Sequence, residues 1–222
     1  MTLNEYLTID DFPKVEEIVK HAFSSGEMLP NDVFNRRFRF TLLADCERMM
    51  GPGLPKILHD RRFCDPEDTI LMSVLEPDPV KGFYKYFGKI NSILFKASIS
   101  EDDYDDLRCL DPGVPTDAIQ FTADTLVWIP DYGRWAIWGE RRGREIAVIG
   151  FYDPAQADFL LNEDGYWIDA ETAIREDFAR APYRDQKAPE DFARALIENY
   201  GSKQDLERKL REAGVAFDAS GR

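Results

Sequence analysis

The stretch from Asp124 to Asp153 constrains this chain most: TLVWI, RWAIW and REIAVIGFY are three short runs rich in β-branched and aromatic residues, separated by Pro-Asp-Tyr-Gly and Glu-Arg-Arg-Gly. Both connections are short, polar and carry a glycine, Gly133 or Gly143, as hairpin loops of three to five residues require. Strands joined by such tight turns cannot be parallel. The segment therefore predicts a three-stranded antiparallel meander over about 124–153. Its last run, Ile146 to Ile149, is continuously apolar, which predicts a central strand covered on both faces with Trp128 buried nearby.

Around this segment the periodicity changes. Asp11 can cap a helix from Phe12 to Ser24, whose Phe12, Val15, Ile18, Val19, Ala22 and Phe23 recur at helical spacing before Gly26. A second helix is expected after Asn31 and Asp32, with Phe34, Phe38, Leu42, Cys46 and Met49 on one face and Arg36 and Arg39 directed elsewhere; the alternation of Phe38, Phe40 and Leu42 allows a strand instead. MGPGLP, Met50 to Pro55, reads as a break. Thr69 to Leu75 and Ser92 to Ser98 read as strands, and Ser100 opens a short helix with Asp103 at the third position of a capping box. After Tyr166-Trp167-Ile168 helix formers and charges take over, giving helices at Glu171 to Arg180, Pro189 to Asn199 and Lys203 to Ala213.

These elements predict an α+β fold: a central antiparallel sheet packed with N- and C-terminal helices, since a doubly wound sheet would alternate strand and helix throughout. The expected organisation is an α+β core domain over 1–168 and a C-terminal helical extension over 169–222 packed on it. A hydrophobic fraction of 44% with 15 Phe, 9 Tyr and 4 Trp supplies apolar surface enough to offset the chain entropy lost on folding.

The formal charge of −14 opposes binding to nucleic-acid phosphates and to anionic membranes. With no apolar run near the roughly 18 residues of a membrane span and no signal-like N-terminus, a cytoplasmic protein is expected. Cys46, Cys64 and Cys109 lack ligand spacing, so they read as small, mostly buried hydrophobes; no metal, cofactor or disulfide is expected.

Candidate chemistry is sparse. His21 reads as a helix-end residue. His59, in KILHDRRF beside Asp60, would interest catalysis only with a nucleophile aimed at it. EDDYDD, Glu101 to Asp106, lacks the glycine and closing Glu of a calcium loop and reads as an acidic first helical turn. No phosphate-binding glycine motif occurs. KGFYKYFGK, Lys81 to Lys89, begins like an RNA-stacking segment and then departs from it at Tyr84 and Lys85, leaving core packing and solvated lysines as its reading.

The best candidate binding site is the second hairpin. Arg141, Arg142 and Arg144, with Arg134, gather near Trp135 and Trp138 in an otherwise acidic chain, and arginine and tryptophan dominate binding hot spots. The plainer reading is a solvated turn over core tryptophans. The expected function is a non-enzymatic acidic interaction protein of bacterial type, such as an inhibitor or immunity-like protein. Its partner would be a protein, basic if the acidic surface is used. The alternatives are an enzyme with a dispersed site including His59 and carboxylates, and a structural or adaptor subunit.

Overall fold

The computed structural model describes residues 1–35, 38–141, 145–175 and 187–215. Six strands, β1 (Phe40–Asp45), β2 (Thr69–Glu76), β3 (Ser92–Lys96), β4 (Thr125–Pro130), β5 (Trp135–Glu140) and β6 (Ile146–Phe151), form one sheet in the order β1-β6-β5-β4-β2-β3. Every neighbouring pair is antiparallel. The fold is α+β, as the sequence predicts.

Alternation along each strand divides the interior into two cores, because successive side chains leave a strand on opposite faces. Leu126, Trp128, Trp135, Ile137, Ala147 and Ile149 enter one core. It is covered by α2 (Gly53–Leu58), α3 (Glu101–Arg108) and α5 (Lys203–Glu212), through Leu54, Ile57, Tyr104, Leu206 and Leu210. Val127, Ile129, Trp138, Ile146 and Val148 enter the other. There they meet Val15 and Ala22 of α1 (Phe12–Ala22) and Leu196 and Tyr200 of α4 (Glu190–Tyr200). Both faces of β6 are covered, and Trp128 and Ile146 to Ile149 are all buried.

The two C-terminal helices thus serve opposite cores. The chain crosses between them at the β1 edge, where the Thr41 hydroxyl donates to the Tyr200 carbonyl over 2.7 Å. Ser202 then caps α5 by accepting from the Asp205 N–H. A glycine is required at one inner position of β5, since a Cβ on Gly139 would lie 2.7 Å from Cys46 Sγ and 3.1 Å from a Trp128 ring carbon.

Among the described residues the second predicted helix forms only at the turn Cys46–Met49. Phe40–Asp45 is the strand that the alternation of Phe38, Phe40 and Leu42 allowed, and Phe34 before it makes an isolated antiparallel bridge with Phe23. The reason is visible in the packing: Phe34 and Phe38 belong to the α1 side, whereas Leu42, Cys46 and Met49 enter the opposite core, so no helical face could hold all five. The side chain of Asn35 donates to the carbonyls of Lys20 and Phe23, fastening this loop to the end of α1. The predicted break at MGPGLP is shorter than expected, since α2 already starts at Gly53. Of the helix expected at Glu171 to Arg180 the described part is the turn Ala170–Ala173, and residues 176–180 lie outside the described ones. Cys46 and Cys64 are buried, but Cys109, at the end of α3, is exposed.

Candidate functional site

The residues of the predicted hairpin site are dispersed by the strand that carries them. Trp135 and Trp138 are three positions apart on β5 and so face opposite cores. Both are buried, and each indole N–H is used internally: Trp135 donates to the Phe63 carbonyl over 3.2 Å and Trp138 to a Glu140 oxygen over 3.0 Å. Arg134 sits at the other end of the strand from Arg141 and reaches Asp68 at 3.2 Å.

Arg141 itself is turned inward. Its Nε meets Glu47 at 2.6 Å, and its Nη1 donates to the carbonyls of Gln120 at 2.8 Å and Ala123 at 3.3 Å. With its side chain only 18% exposed, it ties the root of the β5–β6 connection to the loop before β4. Arg142 and Arg144 lie outside the described residues.

The dispersed catalytic arrangement around His59 has a similar geometry. His59 Nε2 lies 2.7 Å from the Ile99 carbonyl oxygen, while the neighbouring Asp60 is engaged by Arg62 through its backbone N–H, Nε and Nη2. The side-chain hydrogen bonds from Arg62 hold the Asp60 carboxyl below its ordinary range, against the opposing effect of burial. Arg62 also grips Glu163 through both carboxylate oxygens. A second closed cluster lies beside it, where the fully buried Asp164 carboxylate pairs with Arg48 at 2.6 Å and Lys56 at 2.7 Å. Among the described residues no group of three or more His, Cys, Asp or Glu is placed to hold a metal ion.

A different place in the molecule has charge to spare. On the α1 side of the sheet, a pocket of about 370 Å³ opens between the end of α1, the Ser24–Met28 loop and the end of β2. Its apolar lining comes from Val19, Phe23, Met28, Leu75 and Trp138, with the Phe23 and Trp138 rings 5.4 Å apart. Its polar lining contains four carboxylates, Glu16, Glu27, Glu76 and Asp78, against one ammonium, Lys20.

Each element delivers its part for a local reason. The β2 ladder shifts register between Val74 and Glu76, so that Glu76 pairs with Thr125 at the sheet end and its side chain is exposed. Asp78 is spent partly on the turn it begins, accepting the N–H groups of Val80 and Lys81. Glu16 pairs with Lys20 one turn along α1 at 2.9 Å, and Glu27 accepts from the Asn31 side chain. Glu76 makes no ion pair among the described residues.

Glu140 anchors the floor. This buried carboxylate accepts the Leu29 N–H over 2.7 Å as well as the Trp138 indole, fixing the loop and the ring on which the pocket is built. The C-terminal end of α1 adds the negative pole of its backbone dipole at the same spot.

No family model, curated protein or solved structure matches this chain. Its function must therefore be read from the site itself.

Sequence reasoning misses this pocket because its carboxylates come from three segments, of which only Glu76-Pro77-Asp78 is local. The visible signals are the β2 end at Glu76-Pro77 and the glycine-containing loop after α1. Neither says that the two meet.

Proposed function

We propose that this chain is a non-enzymatic interaction protein that receives a cationic group of a basic protein partner in the acidic pocket between α1 and the end of β2. One observation carries the reading: four carboxylates and one ammonium line a pocket above the buried Phe23 and Trp138. A cation entering it meets carboxylates at the rim, and a charge-assisted hydrogen bond there contributes roughly 1.5–3 kcal/mol when desolvated.

The formal charge of −14 supports the same reading at longer range, since it attracts a basic surface and raises the encounter rate. An inhibitor or immunity-like protein acts by such occlusion of a basic surface. Arg141, Asp60 and Asp164, by contrast, are engaged inside the molecule, which leaves them little capacity for a partner.

Capture from an extract of the source cells tests the proposal. The wild-type chain should retain one basic protein, released as salt rises, and a chain carrying Glu27→Gln, Glu76→Gln and Asp78→Asn should not retain it. Retention of an acidic or neutral protein instead, or equal retention by both chains, contradicts the reading.

A further inference from the structure

We propose that the loop from Ser24 to Val33 is a lid latched by the end of α4, and that lid and helix open as one unit while the sheet stays folded. The inference rests on hydrogen bonds and hinge geometry and stands apart from the charge of the pocket that the loop lines.

The loop is closed at its neck by its own contacts. Phe23 and Phe34 form an isolated antiparallel bridge with their rings stacked 5.5 Å apart, and the Ser24 N–H donates to the Val33 carbonyl over 2.8 Å. A compact loop with joined ends is an Ω-loop, a class frequently used for function.

The tip is held from elsewhere in the chain. Asn199 Nδ2 of α4 donates to the Pro30 carbonyl over 2.9 Å, and the Tyr200 hydroxyl donates to the Asn31 carbonyl over 2.6 Å while accepting the Val33 N–H over 3.1 Å. Burial pushes the Tyr200 phenol well above its ordinary range, so it keeps the proton that it gives to Asn31. β5 adds one bond, from the Leu29 N–H to Glu140. Undocking α4 therefore removes three of these four bonds and leaves the neck intact.

The helix is placed to leave. Leu196 and Tyr200 are its buried residues, whereas every residue of β5 and β6 is buried, and an element with fewer buried contacts opens at lower free energy than core strands. It ends at Gly201, whose φ of +89° is a conformation open to glycine, and there the chain turns toward α5 in the opposite core. α4 can thus swing about Gly201, breaking the Thr41 bond to the Tyr200 carbonyl, while α5 stays docked. Leu29 and Val33 are buried, so the open form presents apolar side chains, and a partner that binds them draws the population toward it.

The test is native-state hydrogen exchange of the full chain, followed by NMR in urea below the unfolding midpoint. The amides of Leu29, Val33, Leu196 and Ile197 should share one opening, with a lower free energy and a weaker urea dependence than Val148 in β6. Leu196→Ala, which alters no hydrogen bond of the loop, should speed exchange at Leu29 and at Ile197 by the same factor, at least about tenfold. Faster exchange at Ile197 with Leu29 unchanged overturns the proposal, because the loop then opens without the helix. Convergence of all four amides with Val148 in the wild-type chain overturns it as well, since no opening short of global unfolding then exists; this second reading decides the matter even if the variant does not fold.

Discussion

The root of the β5–β6 hairpin and the pocket beside α1 are opposite in charge and opposite in availability. The hairpin root is basic, yet Arg141 spends its donors on Glu47 and on the carbonyls of Gln120 and Ala123. The pocket is acidic, and Glu76 on its rim has no ion pair among the described residues. Both regions draw on β5: Trp135 and Trp138 are core on opposite faces, and Trp138 also lines the acidic pocket. The difference teaches that a cluster of charge marks a binding surface only when its hydrogen-bonding capacity has not been taken up by the fold. In the hairpin it has been, for Arg141; in the pocket it has been only in part, through Glu16, Glu27 and Asp78, while Glu76 makes no ion pair among the described residues.

The comparison breaks most simply if the hairpin strands are not core. Ile146 begins β6, pairs with both Glu140 and Asp45, and is buried. Ile146→Ala should therefore cost about 2–5 kcal/mol, through lost transfer energy and the cavity left behind. Urea unfolding of the variant checks this, and a midpoint close to wild type would show that the strand is misplaced.

Arg141→Ala comes next. If the guanidinium is a structural tie, its removal strands two carbonyl oxygens and one carboxylate and should lower stability by about 1–3 kcal/mol, measured in the same way. A change near zero would return Arg141 to the class of solvated turn residues and reopen the hairpin as a contact surface.

The pocket carboxylates should behave in the opposite sense. Glu76 and Asp78 are exposed, so Glu76→Gln should alter stability by less than about 0.5 kcal/mol, with relief of like-charge repulsion making an increase as natural as a decrease. Thermal melting of this variant beside wild type sharpens the contrast with Arg141→Ala.

A pH-dependent effect lies at Asp60, whose carboxyl Arg62 holds below its ordinary range. A depressed folded-state pKa contributes stability above the unfolded value of about 3.9, and the contribution disappears as pH falls through the lower folded value. Asp60→Asn should therefore destabilise by under about 1 kcal/mol at neutral pH and by progressively less below about pH 4, as melting curves across that window would record.

Much of the fold was legible because its signals are local. The strand runs around Trp128, Trp135 and Ile146, the helix from Phe12, the Ser100 cap and the C-terminal helices all rest on spacing within about a dozen residues. Over Asn31 to Met49 the strand alternative won at Phe40–Asp45, because the phenylalanines belong to two cores on opposite faces of the sheet, a division that one helical stripe imitates. The site was hidden for a deeper reason. Arg141 and Trp138 are conspicuous in sequence, but whether a guanidinium faces solvent or three acceptors depends on Glu47, Gln120 and Ala123, which lie 94, 21 and 18 residues away. Likewise Glu16, Glu27 and Glu76 become one rim only once α1 packs beside the end of β2.

The most direct test measures the affinity of the captured basic partner, at one fixed salt concentration, for three chains: wild type, Arg141→Ala, and Glu27→Gln with Glu76→Gln and Asp78→Asn. The account predicts a loss of at least about tenfold for the pocket variant and a change within about twofold for Arg141→Ala, with both chains folded at the temperature of measurement. A tenfold loss on removing Arg141, with full affinity in the pocket variant, would contradict it and move the binding surface to the hairpin.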